Sequence, residues 1–216
     1  ETLNYTAGQT TQTTINPTGI NVGLGVKVSG VQKNFTEGDL KTTSNTFDLA
    51  IEGKGFFQIT LPSGETAYTR NGNFKLNADG SIVNGNGYLL SPEITVPDNV
   101  TDVTIGKDGT VTATDAQTGD TVDLGEITLA DFINPAGLIP LGESLYMQSD
   151  ASGDVLEGNP GEEQFGSVQQ GMIELSNVKL VNEMVDLITA QRAYEANSKA
   201  ITTTDSMLDT VNRLKN

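Results

Sequence analysis

The sequence predicts a mainly β protein, in which an antiparallel β domain of hairpins precedes one long C-terminal α-helix that forms half of a coiled coil. Three observations lead to this expectation. The 216 residues include 24 Gly and 7 Pro, which interrupt many short apolar runs. Turn dipeptides stand between those runs, and the stretch from Val178 to Leu214 contains neither Gly nor Pro. The length allows one substantial domain or two small ones.

Residues 1 to 25 are a polar segment rich in Thr, Gln, Asn and Gly. Such a composition buries too little apolar area to fold alone, so we expect an extended linker. A disordered linker and a segment that becomes ordered against neighbouring subunits both fit this pattern. In the second case, the side chains that we expect to become ordered are those of Tyr5, Thr10, Thr11, Gln12, Ile15, Asn16 and Ile20.

Residues 26 to 175 are predicted to form the β domain. Short apolar or alternating runs are separated here by Ser63-Gly64, Asn71-Gly72, Asp79-Gly80 and Asn86-Gly87, residue pairs that tolerate the positive φ of tight hairpins. The runs expected to be strands are 47–51, 56–61, 67–69, 74–76, 82–83, 88–90, 103–105, 111–113, 122–132, 145–147 and 168–175. The stretch from Gly153 to Gly166 is expected to be a loop.

Residues 176 to 216 are predicted to form the coiled-coil helix. Apolar residues recur there every seven positions, with a second position four residues after each, which is the spacing of a coiled-coil seam. The expected assembly seam consists of Leu180, Met184, Leu187, Gln191, Tyr194, Ile201 and Leu208. A helix from Val178 to Leu214 would be about 55 Å long at 1.5 Å per residue. The β domain could not cover it, so we expect a partner helix from outside this sequence. Arg192 is expected to make an intersubunit contact.

The charge of the chain excludes several kinds of partner. With 12 basic and 28 acidic residues, the formal net charge is −16, which repels nucleic acid and anionic lipid. No run approaches the roughly 18 to 20 apolar residues that span a bilayer, so we expect no membrane insertion. The charge is also unevenly distributed. Residues 171 to 216 hold six acids and five bases, net −1, so residues 1 to 170 carry −15.

The residue types present exclude most kinds of catalytic site. Cys and His are absent, which removes thiolate catalysis, His-based triads and most transition-metal sites. Gly53-Lys54-Gly55 and Gly23-Leu24-Gly25 are too short for phosphate loops, and the Asp-Gly sites lack the other ligands of a calcium loop. We therefore predict no catalytic, metal or cofactor site. A hydrolase with paired carboxylates remains compatible with the acids, although no motif selects a pair.

Several motifs resemble those of the flagellar rod and hook axial proteins. They are Gln170-Gly171, Ser176-Asn177-Val178 and the stretches 183–185 and 191–199 near the C-terminus, with 35–40, 49–57 and 68–72 upstream. The resemblance covers nearly the whole chain. It is closest to the distal rod members, through the segments 23–26, 91–97 and 132–138. The N-terminal helix that such proteins pair with their C-terminal helix is missing, and the chain begins at Glu1, so we expect the natural start to have been removed.

The resemblance implies a structural subunit rather than an enzyme. Such a subunit is exported from the cytoplasm through the flagellar type III apparatus and assembles with copies of itself into a hollow helical rod in the periplasmic span of the basal body. It implies as further partners the proximal rod and hook-side axial proteins and the ring bushing proteins around the rod. The rod transmits torque from motor to hook. The alternatives are a proximal rod or hook subunit of the same family and, outside the family, a β-rich adhesin or binding module.

The resemblance also suggests a role for the polar segment from Tyr5 to Gly25. In a helical rod, the near-neutral helices would form the inner tube and the acidic β domains would face outward. The segment could fill the gap between these layers, where its Thr, Gln and Asn side chains would form hydrogen bonds with neighbouring subunits. We expect it to stiffen the rod, because filling that gap would resist sliding.

Overall fold

In a computed structural model, the residues described are 2–5, 20–23, 32–162 and 164–214. Within these ranges the chain forms eighteen strands, a 3₁₀ turn at Pro135–Gly137 and one α-helix, α1, at Leu180–Leu214. The strands are β1 Thr2–Tyr5, β2 Ile20–Gly23, β3 Leu40–Thr42, β4 Leu49–Glu52, β5 Phe56–Thr60, β6 Thr66–Thr69, β7 Lys75–Leu76, β8 Ile82–Val83, β9 Leu89–Ser91, β10 Val100–Ile105, β11 Thr110–Asp115, β12 Thr121–Glu126, β13 Leu129–Phe132, β14 Ile139–Gly142, β15 Leu145–Met147, β16 Val155–Gly158, β17 Ser167–Gln170 and β18 Met172–Glu174. The chain separates into two compact units, Glu1–Asn34 and Phe35–Asn216.

The first unit contains an antiparallel pair of strands, β1 and β2. Their register places Thr2 opposite Gly23 and Tyr5 opposite Ile20. The composition predicted an extended segment here, but this pairing was not predicted. Thr10, Thr11, Gln12, Ile15 and Asn16 lie outside the described residues. The division of the chain at residues 25 and 175 stays a prediction.

The second unit is built on a nine-stranded antiparallel sheet. Its strand order is β14-β15-β6-β5-β9-β8-β7, and β13 pairs with both β5 and β16. A separate three-stranded sheet has the order β10-β11-β12, and the pairs β17-β4 and β18-β3 lead toward α1. The predicted fold class, antiparallel β with a long C-terminal helix, is confirmed.

Two apolar clusters lie on opposite sides of β5. Phe56 and Phe57 are neighbours in that strand and therefore point to opposite faces. Phe57 belongs to the larger cluster, where its ring meets Phe74 edge to face with centroids 5.3 Å apart. Phe56 belongs to the smaller cluster, where it meets Phe132 at 5.9 Å. Because both faces of β5 are covered, the strand reads as a nearly continuous apolar run.

Most predicted turns have the expected backbone. Gly64, Gly80 and Gly87 all adopt positive φ, as their dipeptides predicted. The reason inferred for Gly72 was wrong, because its φ is not positive. A Cβ there would instead overlap the carbonyl oxygen of Leu49, so this glycine is required by the close approach of two chain segments.

Three predicted elements differ from the structure. The run 122–132 is divided into β12 and β13, because Ile127 leaves the three-stranded sheet and is fully buried. The run 168–175 is divided at Gly171, where φ is +71°. The predicted loop from Gly153 to Gly166 contains β16, which pairs with β13. Val155 of β16 lies opposite Phe132 and packs against the smaller cluster. The Gly- and Glu-rich sequence around Val155 did not predict this contact.

The helix α1 begins at Leu180, two residues later than predicted, and ends at Leu214. Its 35 residues extend about 52 Å. Among the residues that the structure describes, no helix is long and apolar enough to cross a membrane.

Candidate assembly surface

The seven residues predicted as the assembly seam are all exposed on α1. Their exposed fractions include 57% for Leu208, 59% for Leu187 and 77% for Tyr194. No described residue of α1 is buried. The heptad spacing keeps these side chains on one side of the helix, with a drift of about 20° per heptad in a straight helix. The surface available for packing is therefore long, narrow and slightly twisted.

Further apolar side chains, which the heptad pattern did not predict, lie beside this seam. Val181, Val185 and Ile188 follow the i, i+4, i+7 spacing of a helix face and are all exposed. They broaden the apolar surface at the N-terminal end of α1. A search for helical spacing in general, rather than for the heptad alone, would have found them. A face of this width can contact more than one neighbouring helix.

A similar second face occurs at the other end of α1. Met207, Val211 and Leu214 are spaced at i, i+4 and i+7 and are exposed by 64%, 61% and 83%. The middle of the seam is narrower and more polar, since Gln191 lies there. The two ends of α1 thus offer more apolar contact area than its centre.

Arg192 follows Gln191 in the middle of α1, about 100° around the helix from it, and is exposed. Its possible partner within the helix, Glu195, is also exposed, and the two form no ion pair in the part of the chain that the structure describes. A guanidinium so placed is free to meet a carboxylate on another helix. An intersubunit contact of Arg192 stays a prediction.

Hydroxyl side chains in the second half of α1 bond to the helix itself. Thr203 Oγ1 donates to the carbonyl oxygen of Lys199 at 2.8 Å, and Thr204 Oγ1 donates to that of Ala200 at 2.9 Å. Thr210 does the same with Ser206 at 2.9 Å. Such bonds satisfy the hydroxyls and slightly weaken the helix. Packing against a partner would therefore matter most in this half.

The chain enters and leaves the second unit's sheets through two adjacent segments, residues 36–40 and 174–178, which we call the neck. The Leu175 N–H donates to the Asp39 carbonyl at 2.9 Å. The Gly38 N–H donates to Glu174 Oε1 at 2.9 Å. These bonds join the segment before β3 to the segment that leads into α1.

A third bond joins the two neck segments near the start of α1. The Asn177 side chain donates from Nδ2 to the carbonyl oxygen of Thr36 at 2.8 Å. The same nitrogen lies 3.0 Å from Thr36 Oγ1. Asn177, three residues before the start of α1, therefore holds the two neck segments together.

A cleft in the described part of the surface is lined in part by Lys107, Asp108, Glu126 and Glu162. Asp108 Oδ1 accepts the Thr110 hydroxyl at 2.7 Å and the Thr110 N–H at 3.3 Å. These hydrogen bonds lower the pKa of Asp108 and serve the turn between β10 and β11. Among the described residues, no group of three or more acids could hold a metal ion.

Comparison with known proteins identifies two matched regions. Residues 50–113 match the family described as flagellar hook protein FlgE/F/G D1 domain. Residues 169–214 match the family described as flagellar basal body rod FlgEFG protein C-terminal. The second region contains β18, part of the neck and α1.

Curated relatives agree with these two matches. The flagellar basal-body rod protein FlgG of Agrobacterium fabrum is 47% identical over 91% of this chain and 75% of that protein. FlgG of Caulobacter vibrioides is 47% identical over 92% of this chain and 76% of its own length. FlgG of Borreliella burgdorferi is 41% identical over the whole of this chain and 82% of its own length. Identity at this level over most of each protein shows that the chain belongs to the FlgG family of flagellar basal-body rod proteins.

Proposed function

We propose that this chain is a structural subunit of the distal rod of the bacterial flagellum. Copies of it build a hollow helical tube that transmits torque from the motor to the hook. The observation that carries the proposal is the exposure of α1, whose 35 residues include none that is buried. A stand-alone β protein would not keep two apolar helix faces in water, whereas a helical polymer covers them. The relatives named above are flagellar basal-body rod proteins.

Helix packing supplies the free energy of assembly in this proposal. Burying a large apolar side chain is worth about 1.5–3 kcal/mol. The seam from Leu180 to Leu208 offers five such side chains at heptad spacing, with Met184 as a sixth. Contact between α1 and helices of neighbouring subunits would therefore stabilise the polymer, with the polar Gln191 setting the register.

The distribution of charge supports an inner position for α1 and an outer position for the β domain. Residues 171 to 216 carry a net charge of −1, and residues 1 to 170 carry −15. Near-neutral helices can pack closely around an axis, whereas strongly acidic domains repel one another and remain hydrated. The tube would thus have a helical wall and an acidic exterior.

The partners and location follow from the same role. The subunit would leave the cytoplasm through the flagellar type III apparatus and join the periplasmic span of the basal body. There it would contact proximal rod proteins below, hook-side axial proteins above and the ring bushing proteins around it. No catalytic step belongs to this role.

The polar segment from Tyr5 to Gly25 would stiffen the tube. Tyr5 and Ile20 lie opposite each other in the β1–β2 pair. An extended pair of strands has backbone and side-chain groups that can form hydrogen bonds with neighbouring subunits. Such bonds would resist sliding between subunits, which a drive shaft needs more than a flexible hook does.

The proposal is tested by deleting the gene in its own bacterium and examining basal bodies by electron microscopy. The expected basal body has a truncated rod and no hook, and the intact gene should restore both. A gene lacking residues 178–214 should restore neither, because the seam is gone. A complete rod without a hook would favour the hook subunit. Normal basal bodies and motility would overturn the proposal and favour an adhesin or another binding module.

A further inference from the structure

Arg70 has an unusual set of partners in the turn between β4 and β5. Its Nη1 donates to the carbonyl oxygens of Gly53 and Gly55, both at 3.1 Å. Its Nη2 donates to Gly53 O at 3.1 Å and to Ile51 O at 3.4 Å. Gly53 and Gly55 adopt φ of +115° and +130°, a conformation that favours glycine. The turn is therefore shaped so that three carbonyl oxygens face one guanidinium.

The remaining nitrogen of Arg70 reaches the neck. Arg70 Nε donates to Glu174 Oε2 at 2.8 Å, and both side chains are largely buried, with exposed fractions of 15% and 11%. The other carboxylate oxygen, Glu174 Oε1, accepts the Gly38 N–H at 2.9 Å. One continuous set of hydrogen bonds thus runs from the β4–β5 turn through Arg70 and Glu174 to both segments of the neck.

The strand pair that carries the neck, β3 and β18, is only partly buried. In β3, Lys41 and Thr42 are exposed, and the three residues of β18 are only half-buried. At the far end of the pair, the Gly171 N–H donates to the Asp48 carbonyl at 2.8 Å. Asp48 Oδ2 accepts the Thr43 hydroxyl at 2.7 Å. The pair is therefore held at one end through Asp48 and at the neck end through Glu174.

We propose that Arg70 is a positioning residue that couples the β domain to the neck and so fixes the direction in which α1 leaves the domain. With both ends attached, the β3–β18 pair cannot pivot on the sheet. Without Arg70, the neck end loses its link through Glu174 to the β4–β5 turn, whereas the bond to Asp48 at the far end remains. The neck would then open and close locally while the rest of the domain stays folded.

The chemistry of the site requires arginine. A guanidinium is planar and has five N–H donors, so it can serve three carbonyls and a carboxylate together. Bonds between its charge and the Glu174 carboxylate are shorter and stronger than neutral ones. Lysine has one small ammonium group on a flexible chain and cannot span the distance from Gly55 to Glu174 with the same contacts. We therefore expect Arg70→Lys to retain little of the coupling between the β domain and the neck.

A consequence for the rod rests on the proposed function. If α1 lies in the tube wall and the β domain outside it, torque between the two layers passes through the neck. A coupling at Arg70 would carry that load, and a loose neck would let the layers twist against each other.

The coupling itself can be tested on the isolated full chain by amide hydrogen exchange. In Arg70→Gln, the Gly38 and Leu175 amides should exchange at least about tenfold faster, while the amide of Ile59 in the core keeps its rate. Lys54→Gln is the matched control, because it removes a positive charge from the β4–β5 turn that Arg70 binds, and the Lys54 side chain is exposed. It should leave all these rates unchanged.

A second variant distinguishes loss of the coupling from misfolding of Arg70→Gln. Glu174→Gln keeps the shape and one acceptor oxygen but removes the charge that Arg70 binds. It should therefore also raise the exchange rates of the Gly38 and Leu175 amides. The double variant Arg70→Gln/Glu174→Gln should be no looser than the more affected single variant, because the two residues act as one unit. If the exchange rates of the Gly38 and Leu175 amides were unchanged in both single variants, the inference would be overturned. An equal rise in the exchange rate of the Ile59 amide would also overturn it, since Arg70 would then only stabilise the whole domain.

The effect on the rod is measured separately in cells. Arg70→Gln should still build rods, but its swimming speed in viscous medium should fall more than that of Lys54→Gln. Equal speeds would refute the load-carrying role. If the wild-type gene itself fails to restore rods in the deletion strain, the proposed function is wrong, and the exchange experiment still decides the coupling.

Discussion

Gly38 and Leu175 lie so close together in the neck that only glycine fits at the first position. A Cβ on Gly38 would overlap the carbonyl oxygen of Leu175 and lie 3.3 Å from the Asn177 nitrogen. The neighbouring Leu175 N–H is bonded to Asp39 O at 2.9 Å. The separation of the two neck segments is therefore set by a glycine.

Gly38→Ala should force the neck segments apart and destabilise the chain by about 1–3 kcal/mol, the usual effect of overpacking a close contact. Urea unfolding measures the loss, and exchange of the Leu175 amide shows where it occurs. Gly85→Ala is the control, because a Cβ at Gly85 meets nothing within 4 Å. Equal stability of the two variants would mean that the neck widens without strain.

Leu187→Asp and Ile201→Asp should each abolish rod assembly and motility. Both side chains are exposed in the single chain, by 59% and 64%, so the β domain should fold normally. In the polymer each charge would be buried, at a cost of several kcal/mol per subunit. Asn182→Asp is the control, because it places the same charge at an exposed residue outside the seam and outside both apolar faces of α1. Motility on soft agar is the measurement, and normal swimming of either seam variant would show that assembly uses another surface.

The isolated chain should be monomeric, with a folded β domain and a largely frayed α1. The helix buries none of its residues, and without a partner a helix in water is only marginally stable. Fraying should be greatest from Ile201 to Leu214, where β-branched residues and hydroxyl bonds weaken the helix. Circular dichroism should report far less helix than 35 residues would give, and proteolysis should remove this end first. A fully helical, protease-resistant monomer would contradict the expectation.

Deleting residues 5 to 25 should leave assembly intact, because the seam remains, but should yield rods that bend more easily. The persistence length of isolated rods, measured from electron micrographs, is the readout. Rods as stiff as those of the wild type would refute the stiffening role of this segment. Complete failure to assemble would show that the segment acts at an earlier step.

Stability should fall at alkaline pH through Tyr68. Burial, and then the negative charge of Glu157, raise the pKa of this phenol above its usual value. A raised folded-state pKa means that the contribution is fully present below the unfolded value of about 10 and is lost as pH rises through the folded pKa. Tyr68→Phe should therefore flatten the alkaline part of the stability curve, measured by urea unfolding across pH.

The amino-acid sequence by itself determined the antiparallel β class, most strands and turns, and the long helix with its apolar stripe. These features depend on residues within a few positions of one another. Asp79-Gly80 specifies a turn, and the spacing from Leu180 to Leu208 specifies a helix face, whatever the rest of the chain does.

Only the tertiary structure decided the features that join distant parts of the chain. Arg70 and Glu174 are 104 residues apart, and Gly38 and Glu174 are 136 apart. No local pattern marks such pairs, because their contact depends on how β3, β18 and the β4–β5 turn meet in space. The same reason explains why β16 and the requirement for glycine at Gly72 escaped prediction. Each depends on a partner strand or carbonyl that the fold alone brings near.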